Sequence, residues 1–360
     1  MSTESANLTL DQAAAERSLR PLWDIYDKLV AYEPRPACQP ALWRYRDVRP
    51  LLARAAREIS TAIAERRVLL FKNPGLERPF TTHTLGCGLQ LLLPGEIEGS
   101  HRHSQAALRL VVEGDGAYTT TDGERIWMKP GDVITTPSWT WHDHGKTTDG
   151  EMVWLDGIDV PLVEFLRATF RESAPGGGER RQALTRPDSD SHFRYGCGLL
   201  PLDPLPASLH SPVYAYPYER TRDVLEALRR ASEWDPCHGI KLKFSNPLSG
   251  EHVMPTIAAC MQLLPRGFET ASYRSTDAAI FSVVEGSGTV WIAEQSFAWE
   301  AGDVFVVPNW TGYRFATAAD AVLFSFSDRA AQERLGLWRE DRSTSSAGGA
   351  SNSRATGARR

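Results

Sequence analysis

From Val68 onward the chain alternates short apolar runs with turn residues. VLLF, LQLLL, LRLVVEG, DVITT and MVWLDGI are separated by Gly, Pro and Asp at roughly ten-residue spacing, which predicts the strands of an antiparallel barrel or jelly roll. Residues 9 to about 60 carry a helical period instead. Thr9 opens a T-x-x-Q capping pattern, and Asp47 with Pro50 begins a second helix bearing Leu51, Leu52, Ala55, Ala56 and Ile59. These helices are expected to pack outside a barrel. A short helical segment near Leu162 to Phe170 precedes ESAPGGGERRQALTRPDSDS, whose Gly, Pro, Ser and Arg read as a linker. A further helix at about Asp223 to Ser232 leads into a second strand-rich region, and STSSAGGASNSRATGARR has the composition of a disordered tail.

The strand-rich regions are copies of one another. HRHSQAALRLVVEGDGAYTT from His101 parallels YRSTDAAIFSVVEGSGTVWI from Tyr273, and MKPGDVITTPSWTWHDH parallels WEAGDVFVVPNWTGYRF. The expected fold is therefore mainly β: two jelly-roll barrels with N-terminal and connecting helices. The expected division is a helical segment over 1–60, a first barrel over 61–171, a linker and helix over 172–235, a second barrel over 236–340 and a tail over 341–360.

Aligned through VVEGxG and GDVxxxPxW, the second copy keeps the turns and apolar positions but has Tyr273, Ser275 and Tyr313 where the first has His101, His103 and His142. The histidines are dispensable to the fold. Residues two apart on a strand face one side, so His101 and His103 can converge on one ion while Arg102 points away, with His142 as third ligand. Three neutral imidazoles leave coordination positions open, as a catalytic metal requires. The residues alone do not choose the ion, and a zinc hydrolase, a metal-dependent isomerase or a non-enzymatic ligand-binding bicupin remain open.

Charge and composition narrow the partners. A formal charge of −5 offers no basic field for nucleic acid, and no run of 18 apolar residues could cross a bilayer. The N-terminus lacks a secretory pattern, so a cytoplasmic location is expected. Five scattered cysteines, with no C-x-x-C pair, read as reduced and mostly buried thiols.

GEIEGSHRH followed by GDVITTPSWTWHDH resembles the two conserved stretches of cupins. With RRVLLFKNPGL, GLQLLLPGE, WLDGID and AVLFSFSD, the chain resembles the gentisate and salicylate 1,2-dioxygenases over most of its length. The resemblance implies a bicupin with one Fe(II) per chain on His101, His103 and His142, and a homotetramer. It also implies a small aromatic acid substrate, a 2-hydroxybenzoate, whose ring is opened with O2 between the carbons bearing the carboxyl and hydroxyl groups. Ordinary cupins carry a glutamate near position 107, where this chain has Ala107. By the same resemblance Arg109 clamps the substrate carboxylate, His144 serves as a hydrogen-bonding or proton-transfer group, and Gln90, Asp156 and Arg66 occupy pocket positions. The chain departs from the family in reading Leu85-Gly86-Cys87-Gly88 where a tryptophan is usual. Space at Gly86 and Gly88 is expected to admit a ring substituent, which brings 5-nitro- and 5-halosalicylates, or 1-hydroxy-2-naphthoate, into range.

Overall fold

The computed structural model describes residues 9–60, 63, 64, 66–175, 180–202, 208–231 and 233–342. The chain divides into a small unit ending at Arg35 and a large one from Pro36 onward. In the small unit Thr9 caps the helix Leu10–Ala15 through reciprocal bonds with Gln12, at 3.3 Å and 2.9 Å, as the sequence pattern anticipates. Helical character does not persist to residue 60, however. Ala41–Trp43 is a strand, and the long helix Tyr45–Glu58 begins two residues ahead of Asp47, with Pro50 inside it. Pro50 forfeits one backbone bond, while Leu52, 1% exposed, anchors the helix in the core.

The apolar runs form strands Val68–Leu70, Gly86–Leu92, Ala107–Glu113, Val133–Thr136 and Met152–Ile158. With Ala215–Tyr216 they make one six-stranded antiparallel sheet. A five-stranded sheet containing Ile97–His103 and His142–Lys146 completes the first half. The second half repeats this plan. Its six-stranded sheet includes Ala258–Leu264, Ala279–Glu285 and Ala321–Ser327, and a three-stranded sheet contains Tyr313–Ala316. Each half is a jelly roll, and the fold is mainly β as expected.

Edge strands cross between the halves. Ala41–Trp43, which precedes the first jelly roll, pairs with Val304–Val306 of the second. Ala215–Tyr216, which precedes the second, pairs with Val133 and Ile134 of the first. Alternate residues of the large sheets, such as Leu89, Leu91, Leu108 and Leu155 from one and Met261, Ile280, Val322 and Phe324 from the other, share one core. The opposite faces point into each jelly roll.

The stretch read as a linker is folded onto the first jelly roll. Arg171–Ser173 pairs with His101–His103, Ser100 N donates to Arg180 O at 2.8 Å, and Gln182 N donates to Asp143 Oδ2 at 2.7 Å. Its polar residues supply bonds to sheet edges, a use that composition alone does not distinguish from solvation. Residues 176–179 of this stretch and the tail 343–360 lie outside the described residues. The segment anticipated at Leu162 to Phe170 is the shorter helix Val160–Phe165. The helix anticipated at Asp223 begins at Tyr218, where Asp132 Oδ1 of the first half accepts from Tyr218 N at 2.8 Å and replaces a local cap.

The repeat holds at the level of single bonds. Trp139 N donates to His103 O at 2.8 Å and Trp310 N donates to Ser275 O at 2.6 Å. Both tryptophans have positive φ, 63° and 53°, and each indole carries an arginine, Arg102 or Arg274, at 4.6 Å from its ring centre.

Candidate metal centre and substrate pocket

His101 and His103 end one strand of the five-stranded sheet, and His142 begins the adjacent strand directly opposite His101. Their ring centres lie 4.1 Å (His101 to His142), 4.8 Å (His103 to His142) and 5.6 Å (His101 to His103) apart. One nitrogen from each falls within 4.8 Å of the others, and among the described residues this is the one such group of three metal-ligating side chains. Each Nδ1 lies against a backbone carbonyl two residues away: His101 to Gly99 at 2.9 Å, His103 to Gln105 at 2.9 Å and His142 to Thr140 at 3.0 Å. These bonds fix the proton on Nδ1 and turn the lone pair of Nε2 inward. His142 Nε2 is buried with no partner. Burial pushes His101 down to about 3, helped by the Arg66 charge, and His103 down to about 4; His142 is held well below the imidazole range for the same first reason. Three neutral imidazoles with converging lone pairs fit a divalent metal and leave positions for exogenous ligands.

His144 follows on the same strand face, its ring 5.8 Å from that of His142. Thr119 Oγ1 lies 3.5 Å from Met128 Sδ and 2.9 Å from His144 Nδ1. A hydroxyl that donates to the sulfur accepts from Nδ1, which leaves the buried, unpartnered Nε2 as an acceptor toward the pocket.

The facing sheet supplies the polar wall. Arg109 stands opposite Asp156 in register, with Nε 3.1 Å from Asp156 Oδ1, and Nη1 donates to Thr136 Oγ1 at 2.8 Å. Arg109 is only 3% exposed, which removes it from the class of surface ion pairs. Asp156 also accepts from Trp154 Nε1 at 3.0 Å, so it holds Arg109 more than it faces a ligand. Burial raises the Asp156 carboxyl, and the Arg109 charge opposes that. Arg66 Nη2 lies on His101 Nε2, the nitrogen that would hold a metal, and the Arg66 Nε is 3.7 Å from Glu98. Gln90 is buried and donates to Glu98.

Glu98 is the residue that sequence reasoning missed. It is 4% exposed, and burial raises its carboxyl to about 7 against the lowering effects of Arg66 and Gln90. Strict alternation places residues 98 and 101 on opposite faces. A β-bulge between them pairs Glu98 with His144 and His101 with His142, so both can face inward. The one sequence signal was an acidic residue, two positions beyond Glu96, inside the short Ile97–Ser100 run before H-R-H.

The two glycines differ. A Cβ on Gly86 would meet Ile158 Cγ2 at 3.5 Å, an ordinary contact. A Cβ on Gly88 would lie 2.7 Å from the Leu69 carbonyl oxygen and 2.8 Å from Val68 Cγ1. Gly88 thus admits the neighbouring strand, and its missing side chain is explained by packing instead of by room for a substrate.

Two facing sheets around a histidine cluster at one end define a cupin, and residues 88–158 match the family described as "Cupin domain". The likeness extends well beyond that segment. A gentisate 1,2-dioxygenase of Aquipseudomonas alcaligenes is 49% identical over 90% of this chain and 93% of its own. A 5-aminosalicylate 1,2-dioxygenase of Comamonas sp. is 35% identical over 92% and 89%. The solved salicylate 1,2-dioxygenase of Pseudoaminobacter salicylatoxidans, in adducts with gentisate, superposes with a TM-score of 0.86 at 32% identity over 92% of each chain. The chain belongs to the gentisate and salicylate 1,2-dioxygenase family, the bicupin ring-cleaving dioxygenases.

Proposed function

We propose that this enzyme holds one Fe(II) per chain on His101, His103 and His142 and opens a 2-hydroxybenzoate between its carboxyl- and hydroxyl-bearing carbons, both atoms of O2 entering the product. The observation that carries this reading is the pairing of three inward Nε2 atoms, with no protein carboxylate among them, with a buried arginine on the facing sheet. When bound, iron(II) supplies the electronic route by which dioxygen reacts with a closed-shell ring.

The remaining work falls to side chains. Arg109, fixed by Thr136 and Asp156, takes the substrate carboxylate and sets the ring's orientation. His144 Nε2 accepts the phenolic proton or a hydrogen bond from that oxygen. Arg66 can reach either His101 or Glu98, and a carboxylate in the pocket gives it a third partner. Gln90 and Glu98 hold one another as a polar floor. The missing side chain at Gly86, where a Cβ would meet Ile158 only in ordinary contact, favours substituted salicylates and also suits 1-hydroxy-2-naphthoate. A cytoplasmic homotetramer is the expected form, and the five free cysteines fit a reducing compartment; light scattering checks the assembly.

The deciding experiment is an oxygen-electrode screen of the iron-loaded protein against gentisate, salicylate, 5-substituted salicylates and 1-hydroxy-2-naphthoate, with metal analysis of the same sample. Oxygen uptake coupled to loss of ring absorbance is expected. Uptake with none of them, or full activity with zinc alone, defeats the reading.

A further inference from the structure

The second jelly roll has lost the three imidazoles but keeps a cavity where they would stand. It measures about 410 Å³ and is lined by Tyr273, Ser275 and Tyr313, with Phe281 in the position of Arg109. That volume lies within the roughly 300–1,000 Å³ of small-molecule sites. Aromatic packing beneath it is firm: Phe281 stacks on Phe305 at 5.0 Å and meets Phe315 edge-on at 5.6 Å. The cavity is therefore a shaped space above a rigid apolar floor.

One wall is basic. Arg329 lines the cavity, held by Glu333 at 2.7 Å and stacked on Trp338 at 3.8 Å. Lys241 lines it too, and its side chain makes no hydrogen bond or ion pair with any described residue. His238 Nδ1 is buried without a partner, its ring 4.5 Å from that of Tyr273. Burial, with the charges of Lys241, Arg342 and Arg329, keeps His238 well below the usual imidazole range, so it faces the cavity neutral. Of the acids around Tyr273, Glu340 accepts from the Tyr273 hydroxyl at 2.9 Å, and Asp277 is engaged by Trp338 Nε1 at 2.9 Å. Among the described residues no metal-ligating trio exists here.

An aromatic floor, the Lys241 ammonium and the fixed Arg329 guanidinium on one cavity, and the Tyr313 hydroxyl and His238 imidazole suit one kind of occupant. We propose that the second jelly roll is a metal-free binding site for a small aromatic carboxylate, its ring against Tyr273 and Tyr313 and its carboxylate at Lys241 and Arg329. The site is separate from the three-histidine centre, and the assignment does not depend on what that centre catalyses.

Equilibrium dialysis of salicylate under argon, with the full-length metal-loaded protein, counts the ligand bound per chain. Lys241→Met should weaken one site about ten- to a hundredfold, the effect of losing one charge-assisted bond to an anion. At a fixed salicylate concentration near that site's Kd the count then falls while oxygen uptake with substrate keeps its native kcat. Tyr313→Phe, which removes only a hydroxyl, should weaken the same site less and guards against a Lys241 variant that fails to fold. A count unchanged in both variants overturns the proposal, whatever its starting value. Cyclohexanecarboxylate competing as well as benzoate overturns the aromatic assignment.

Discussion

The two jelly rolls share their turns, their strained tryptophans and their arginine-on-indole contacts, yet one interior is polar and the other aromatic. His142, His144 and Arg109 of the first correspond to Tyr313, Phe315 and Phe281 of the second. In the second interior Phe281 stacks on Phe305, Phe315 meets Phe305 edge-on and Tyr313 meets Phe281 edge-on, the usual economy of a core. The first instead buries four low-pKa imidazoles and two charged pairs, an arrangement that costs stability unless a ligand repays it. The scaffold needs neither set, so the difference between them isolates function from folding.

The strongest way to break this comparison is to alter matching positions. His101→Ala, His103→Ala and His142→Ala should each abolish ring cleavage and iron retention while far-ultraviolet circular dichroism stays native. Tyr273→Phe, Ser275→Ala and Tyr313→Phe should keep one iron per chain and full turnover. Iron retained in any histidine variant, or lost from any tyrosine or serine variant, ends the assignment.

Glu98 supplies a pH test. Its folded pKa of about 7 lies above the ordinary 4.5, so the native state binds the extra proton. Stability is highest below the lower value and declines as pH rises through the folded one. The span corresponds to on the order of 3 kcal/mol. Glu98→Gln should flatten the native decline in Tm between those pH values, and chemical denaturation at several pH values checks it; parallel curves for both proteins would show that Glu98 stays ionised.

Arg109→Ala should lower kcat and raise KM together with normal iron content, a loss of about 1.5–3 kcal/mol, or roughly ten- to a hundredfold in kcat/KM. Phe281→Leu in the second jelly roll should leave these constants alone. The smallest effect concerns selectivity: Gly86→Trp should reduce kcat/KM for 5-nitro- or 5-halosalicylates about tenfold more than for gentisate. Equal losses for every substrate would mean general damage near Ile158 and Phe80.

The strand rhythm and the internal repeat made the fold legible, because apolar runs and turn residues act locally and were read twice. The histidine trio was legible for the same reason, the second copy serving as a control. What escaped depends on distant partners. The bulge that brings Glu98 inward is a pairing irregularity with no local signature. Ala41–Trp43 extends because Val304–Val306 receives it, and the Tyr218 helix starts where Asp132 caps it. Gly88 looked like room for substrate because the sequence cannot show that Leu69 lies against it.

The crossed edge strands have a consequence for synthesis. Ala41–Trp43 leaves the ribosome about 260 residues before its partner Val304–Val306 exists, a delay of roughly 13–50 s at ordinary elongation rates. In the later part of that interval, once Ser173 has emerged, the nascent chain carries an unpaired apolar strand beside a first jelly roll whose own strands, apart from Ala215–Tyr216, are all present. The exposed strand is only three residues long, too short to template aggregation efficiently. Its brevity lets the chain wait for the second half before locking the two together.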